Sequence, residues 1–383
     1  PYSFMEPRVA DSIMKQIYRT PPPDTTCIFT TDRPNVVLII LESWSADLIE
    51  SLGGEPGITP EFRKLERNGI LFDRVYASGA RSEQGMASIF GGFPSHPISS
   101  ITVQPDKFVK LPSLVMDLKK AGYSSSFYFG GQLIYGNIKS YIFFNGFDRI
   151  TEGKDFPDSL PEGKLGIHDQ FTLGYMLSDI STMKQPFFAS LFTLSTHSPW
   201  DQPFEKPLTW GDNEREYINA AYYTDHCLGE FFRAAAQQTW YANTLFILVA
   251  DHSHNSYRNW HPYTKEYHRI PLLLTGEVIQ PGYRGQVWHK TGNQHDIAAT
   301  LLRQLNLPSE AYRFSKDLFN PAVPDFAYYS TEDGLGWITP GGYFTWDAGP
   351  DYYYWWSDPD LPEKVKNEGK AYLQTVFGEY LSK

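Results

Sequence analysis

Three mainly apolar runs, each ending in a short polar cluster, constrain this chain more than any other feature. The first is Asn35-Val36-Val37-Leu38-Ile39-Ile40-Leu41, followed by Glu42-Ser43-Trp44-Ser45. Phe187-Phe188-Ala189-Ser190-Leu191-Phe192-Thr193-Leu194 runs into Ser195-Thr196-His197, and Thr244-Leu245-Phe246-Ile247-Leu248-Val249-Ala250 runs into Asp251-His252-Ser253-His254. Continuous β-branched and aliphatic runs of this length suit strands buried on both faces, as in a parallel sheet covered by helices. Residues 123–129, ending at Gly130-Gly131, read as a fourth strand. Helical stretches around residues 111–121, 168–183 and 216–238 alternate with these strands. The expected fold is therefore α/β, a mainly parallel central sheet sandwiched by helices, with its strand ends gathered on one edge. That edge is where such folds carry their chemistry.

Outside this region the pattern changes. Residues 1–34 read as an amphipathic helix and a linker containing Pro21-Pro22-Pro23, residues 35–310 as the catalytic α/β domain, and residues 311–383 as a smaller unit. In that last unit, residues 326–330 and 342–346 look like short strands between Gly/Pro turns, an antiparallel appendage followed by a terminal helix from about residue 361.

The net charge of −11 and pI of about 5.4 exclude a broad electrostatic attraction for nucleic acid. An anionic substrate remains compatible if a metal and a few cations neutralise it locally. Cys27 and Cys227 are too few for a disulfide framework and lack zinc spacing, leaving one disulfide or two unrelated thiols. No run of about 18 apolar residues occurs, so the chain by itself is not expected to span a bilayer. It opens at Pro1 without a signal-peptide pattern and is expected to be a mature or excised piece of a longer protein.

The polar strand ends supply Glu42, His197, Asp251 and His252. Two carboxylates with an imidazole form a mixed oxygen and nitrogen set suited to one divalent ion, Mn²⁺ first, with Zn²⁺ or Mg²⁺ as alternatives. A serine hydroxyl is a poor nucleophile unless a base or a metal helps it ionise. Ser82 is the candidate, within Ser78-Gly79-Ala80-Arg81-Ser82-Glu83-Gln84-Gly85-Met86-Ala87-Ser88. Small residues before it and a helical run after it predict a helix N-terminus, where backbone N–H groups favour a phosphoryl group. Ser43, Ser45, Ser78 and Ser88 are competing hydroxyls, and Arg81 is either a phosphate contact or an ordinary surface arginine. His261, His268 and His295 read as structural, with His254 left open.

Together, residues 36–45, 78–94, 193–200 and 248–254 resemble the sulfatase-like branch of the alkaline-phosphatase superfamily, in particular the extracellular domains of lipoteichoic-acid-synthase-like phosphoglycerol transferases. Gly166-Ile167-His168-Asp169, His268-Arg269-Ile270-Pro271, Asp296-Ile297-Ala298-Ala299-Thr300-Leu301-Leu302 and Phe314-Ser315-Lys316-Asp317-Leu318 extend the match to about residues 35–340. The resemblance implies metal ligation by Glu42, Asp251 and His252, with Ser82 standing where the family normally has a threonine that attacks phosphorus and also binds the metal. It implies that His197 touches the substrate phosphate. Gln132, Asn137 and Lys139 would take the places of Asp, Trp and Arg residues that meet the phosphoglycerol head group, so the metal centre is kept and the head-group pocket is not. The substrate class implied is a phosphodiester on a membrane lipid or envelope glycan. The implied location is extracytoplasmic, with an upstream segment anchoring the domain to a bacterial inner membrane.

Other chemistries fit less well. A phosphomonoesterase on the same fold differs only in substrate. A sulfuric-ester hydrolase needs a Cys or Ser in a formylglycine motif, which Ser82-Glu83-Gln84-Gly85-Met86 lacks. A silent lipid- or glycan-binding module would be marked by a lost metal ligand, and none is lost. No Gly-x-Ser-x-Gly elbow surrounds Ser82, which argues against a serine-hydrolase triad.

Overall fold

In a computed structural model, which describes residues 2–19, 25–358 and 360–383, the first apolar run forms strand β1 (Asn35–Leu41) with all seven residues buried. The Pro21-Pro22-Pro23 segment lies outside the described residues. Six further strands follow in chain order: β2 (Gly69–Tyr76), β3 (Ser124–Phe129), β4 (Arg149–Glu152), β5 (Phe187–Phe192), β6 (Thr244–Ala250) and β7 (Leu272–Thr275). With β8 (Gln286–Asn293) they form one sheet in the order β4-β3-β5-β1-β6-β7-β2-β8. Among the described residues only β7 runs against its neighbours, β6 and β2; all the other pairings are parallel. The mainly parallel α/β sheet is thus present, and its three central strands β5, β1 and β6 are the three apolar runs.

Register is what turns this sheet into a site. β1 and β6 pair in parallel with Leu41 opposite Ala250, so the next residues, Glu42 and Asp251, leave the sheet side by side. On the other flank Ile40 pairs with Phe192, and the Thr193 amide continues the ladder to the Ile40 carbonyl at 2.9 Å. Three chain exits therefore converge on one edge.

The second sheet has four antiparallel strands: β9 (Ala327–Ser330), β10 (Gly334–Thr339), β11 (Gly342–Asp347) and β12 (Tyr352–Trp356), in the order β12-β11-β10-β9. A helix, Glu363–Ser382, closes the chain. Tyr328, Trp337, Phe344 and Tyr372 belong to the same buried cluster as β1, so this segment adds to the main core rather than building its own. Asn293 at the end of β8 locks the join: its Nδ2 donates to the carbonyls of Tyr76 (2.8 Å) and Tyr328 (2.7 Å) while its Oδ1 accepts from the Tyr328 amide (2.9 Å). At the other terminus the helix Pro7–Ile17 buries Met14 and Ile17, and the amides of Phe4 and Met5 donate to Gln374 Oε1. Cys27 and Cys227 are separate free thiols, one exposed and one buried, which settles the alternative left by the sequence. No helix among the described residues is long and apolar enough to cross a membrane.

Candidate active site

Glu42, Asp251 and His252 come together at the β1/β6 exit, one ligand atom from each lying within 4.8 Å of the others. Glu42 and Asp251 are buried. His252 Nδ1 lies 2.6 Å from the Ser253 carbonyl, an acceptor, so Nδ1 carries the proton and the Nε2 lone pair faces the carboxylates. Nε2 is 3.4 Å from Asp251 Oδ2 and 3.8 Å from Glu42 Oε1.

Ser82 opens the helix Ser82–Gly91, directly after Arg81 in extended conformation. Its Oγ lies 3.2 Å from Glu42 Oε2 and 3.4 Å from His252 Nε2. The Ser82 and Glu83 amides in the first helical turn have no acceptor among the described residues, which leaves a pair of donors for an anion beside the hydroxyl. Gly85 explains how the helix gets so close. A Cβ there would sit 2.4 Å from the Asp251 carbonyl oxygen, so any side chain would push the helix off the ligand. Gln294 ties the two together from behind, its Nε2 donating to Asp251 O and its Oε1 accepting from Ser78 N, both at 2.9 Å.

The competing serines have other employment. Ser45 Oγ accepts from the Asp47 amide, the hydroxyls of Ser78 and Ser88 bond to each other at 2.9 Å, and Ser43 Oγ donates to Glu42 Oε1 at 2.5 Å. Only Ser82 of this group meets both a carboxylate and the imidazole.

The donor set fits a divalent cation on an observation independent of any relative. Asp251 Oδ2 is buried and has no hydrogen-bond partner among the described residues, a costly arrangement for a carboxylate oxygen unless something positive sits against it. Burial first, and then the neighbouring Asp251 charge, hold the Glu42 carboxyl well above its ordinary range. Holding a cation requires the Glu42 carboxylate, the form that this burial disfavours. Metal uptake should therefore release protons and tighten as pH rises. Calorimetric titration of Mn²⁺ in two buffers of different ionisation heat measures this; identical heats would contradict it.

The remaining candidates divide. His197 begins the exposed part of the loop after β5, just past buried Thr196, whose hydroxyl donates to the Glu42 carbonyl (2.5 Å). Asp169 anchors that loop, accepting from the Leu194 amide (2.7 Å), the Ser195 amide and the Thr224 hydroxyl (2.6 Å). His254 packs against Tyr217 with ring centroids 4.5 Å apart and the rings tilted by 37°, and burial lowers its pKa. The Arg81 side chain is exposed, with Glu83 Oε1 at 4.0 Å. No contact among the described residues joins Gln132, Asn137 or Lys139 to the cluster. Gln132 is exposed, Asn137 Nδ2 donates to the Thr102 carbonyl, and Lys139 pairs with Glu152, which also accepts from the Leu133 amide.

Residues 34–307 match the family model described as Sulfatase, well over half of the chain. The chain belongs to the sulfatase family. Lipoteichoic acid synthase 1 of Bacillus subtilis (strain 168) is a relative 28% identical over 384 residues, covering 91% of this chain and 56% of its own length. The chain thus spans about half the length of the curated relatives it matches. Among solved structures, a protein in the alkaline phosphatase superfamily from Vibrio parahaemolyticus superimposes with a TM-score of 0.85 at 25% identity, covering 100% of this chain and 97% of the other. The lipoteichoic acid synthase LtaP from Listeria monocytogenes gives a TM-score of 0.76 at 16% identity over 98% of both chains, a likeness of fold. This sulfatase-family domain therefore has the α/β architecture and relatives of the lipoteichoic-acid-synthase kind that its sequence implied.

The sequence placed Thr196 and Asp169 in matching segments without giving them a role, and gave no sign of Tyr217 or Gln294; the work of all four is to hold backbone. Gly85, three residues beyond Ser82, was the one readable signal of close approach.

Proposed function

We propose that this domain is a divalent-metal-dependent phosphotransferase or phosphodiesterase acting on a phosphoglycerol- or other lipid- or glycan-linked phosphodiester through a covalent phospho-Ser82 intermediate. The observation that carries the proposal is the meeting of Ser82 Oγ with Glu42 and His252, beside the unpartnered Asp251 Oδ2 and two free helix amides. Glu42, Asp251, His252 and the Ser82 hydroxyl would hold the metal, Mn²⁺ first. Bound there, a divalent ion would favour ionisation of the serine hydroxyl and polarise the ester.

The chain's own residues do the rest. Ser82 Oγ attacks phosphorus, the bond from phosphorus to the leaving alcohol breaks, and that alcohol departs with a proton. Ser82 Oγ–H donates to Glu42 Oε2 in the resting site, which orients the lone pairs toward the open side. The Ser82 and Glu83 amides face the equatorial oxygens as charge builds there. His197, held near by the Thr196–Glu42 bond, contacts the phosphate, with Arg81 as an outer cation. Water in a hydrolase, or an acceptor hydroxyl in a transferase, then attacks that phosphorus; the bond to Ser82 Oγ breaks, Ser82 regains its proton, and a phosphomonoester or a new diester leaves. A head-group role for Gln132, Asn137 and Lys139 rests on the family resemblance alone. The extracytoplasmic face, with anchorage by an upstream segment, suits such a substrate.

Elemental analysis followed by assay of p-nitrophenyl phosphate and bis-p-nitrophenyl phosphate, with and without Mn²⁺, tests the proposal. About one metal per chain is expected, with turnover that depends on it and favours the diester. A chain that binds no divalent metal at micromolar levels and cleaves neither ester would overturn the reading.

A further inference from the structure

Ser43 is the residue after the ligand Glu42, and its backbone is unusual. It is buried, and its φ of 59° places a non-glycine residue in the left-handed region. Such a conformation is disfavoured for a residue with a Cβ and persists only where surrounding bonds hold it. Here every polar group of the residue is bonded. The amide donates to Asp251 Oδ1 at 2.9 Å, the hydroxyl donates to Glu42 Oε1 at 2.5 Å, and the carbonyl accepts from the Tyr217 hydroxyl at 2.5 Å. Tyr217 Oη in turn accepts from the Ser45 amide at 3.1 Å, so a buried phenol spans both sides of the turn.

The consequence lies in which oxygens are left over. Each carboxylate has two. Ser43 occupies one on each: Oε1 of Glu42 and Oδ1 of Asp251. Oε2 of Glu42 is left facing Ser82 Oγ, and Oδ2 of Asp251 is left with no partner in a buried position. One residue therefore engages one oxygen of each of two ligands that come from different strands, leaving the second oxygen of Glu42 to Ser82 and that of Asp251 unpartnered among the described residues.

We propose that Ser43, braced by Tyr217, is a positioning residue that presents Glu42 and Asp251 to the metal through one oxygen each, Oε2 and Oδ2. A carboxylate with one oxygen already held by Ser43 would leave room at the ion for the Ser82 hydroxyl and a substrate oxygen. The inference rests on the metal-site reading above.

Two substitutions separate the hydroxyl from the backbone. Ser43→Gly removes the hydroxyl but adopts a left-handed φ freely, keeping the amide on Asp251. Ser43→Ala removes the hydroxyl and keeps the backbone penalty. Mn²⁺ affinity of chelator-stripped protein is measured by isothermal titration, with circular dichroism confirming the fold. Affinity is expected to fall in the order wild type, Ser43→Gly, Ser43→Ala, the last by about 10- to 100-fold, the usual effect of removing a partner that orients a ligand. Saturating Mn²⁺ should restore part of the turnover in both variants, which a merely misfolded protein would not show. Wild-type protein that binds no Mn²⁺ would sink the metal reading itself. Wild type that binds, with Ser43→Ala equal to it, would overturn the role of Ser43 alone. Should Ser43→Ala not fold, Ser43→Gly decides the matter, and unchanged affinity there overturns the proposal.

Discussion

Ser82→Ala should retain metal and lose phosphodiester turnover by about 10⁴-fold or more, the scale on which deletion of a nucleophile acts in other covalent mechanisms. The two halves of this result are separable because three of the four donors, Glu42, Asp251 and His252, come from the strand exits and not from the Ser82 helix. Removing one hydroxyl leaves them in place. Metal binding by titration should therefore weaken only modestly while the rate collapses. Ser82→Thr offers the complementary test. Threonine brings the same oxygen with one added methyl, so turnover within about tenfold of wild type is expected if the hydroxyl is the reacting group. Trapping of labelled phosphate on Ser82 in a quenched reaction, absent in Ser82→Ala, would identify the covalent step directly. A Ser82→Ala variant that still turns over at more than a tenth of the wild-type rate would move the nucleophile elsewhere.

What made this site readable in sequence was the depth at which its strands are buried. β1, β5 and β6 have both faces covered, so their residues are almost all apolar and their ends are marked by sudden polarity. Glu42, Asp251 and His252 stand on those marks. β2 was not readable, because Asp73-Arg74 interrupts its apolar run where the strand is only half-buried. β8 escaped for a related reason: at the sheet edge its first residues are largely exposed, so the mixed string Gln286-Val287-Trp288-His289 carries no alternation that marks a strand. Of the four strands in the second sheet, β9 and β11 were marked by aromatic runs between turns, whereas Gly334 and Gly336 disguised β10. Ser43 illustrates a different limit. Sequence reasoning counted it as a rival nucleophile, since neither its left-handed φ nor its bond to Asp251, 208 positions away, leaves a trace in local pattern. Lys139 reached the candidate set through resemblance, and in the fold its ammonium meets Glu152.

The second large effect concerns stability and falls on a buried ion pair that the chemistry does not use. Lys316→Met should destabilise the protein by about 3 to 5 kcal/mol, the usual result of stripping one partner from a buried pair. Lys316 Nζ lies 2.6 Å from Asp296 Oδ2 and 3.0 Å from the Phe326 carbonyl, with both side chains almost wholly buried. Asp296 also accepts from the Lys316 amide (2.9 Å) and the Asn293 amide (2.8 Å), so it fastens the segment around Lys316 to the end of β8. Removing the ammonium leaves a carboxylate with backbone donors but no countercharge in a low-dielectric interior. The cost is that of an uncompensated charge and not the net worth of the pair, which desolvation keeps small. The double variant Lys316→Met with Asp296→Asn separates these two quantities. It removes both charges while asparagine keeps an acceptor for one of the two amides, so much of the lost stability should return. Denaturant midpoints for wild type and the two variants measure it. A single variant as stable as wild type would show that water or rearrangement already solvates Asp296. A double variant no better than the single would assign the loss to packing around the Lys316 stem instead of charge.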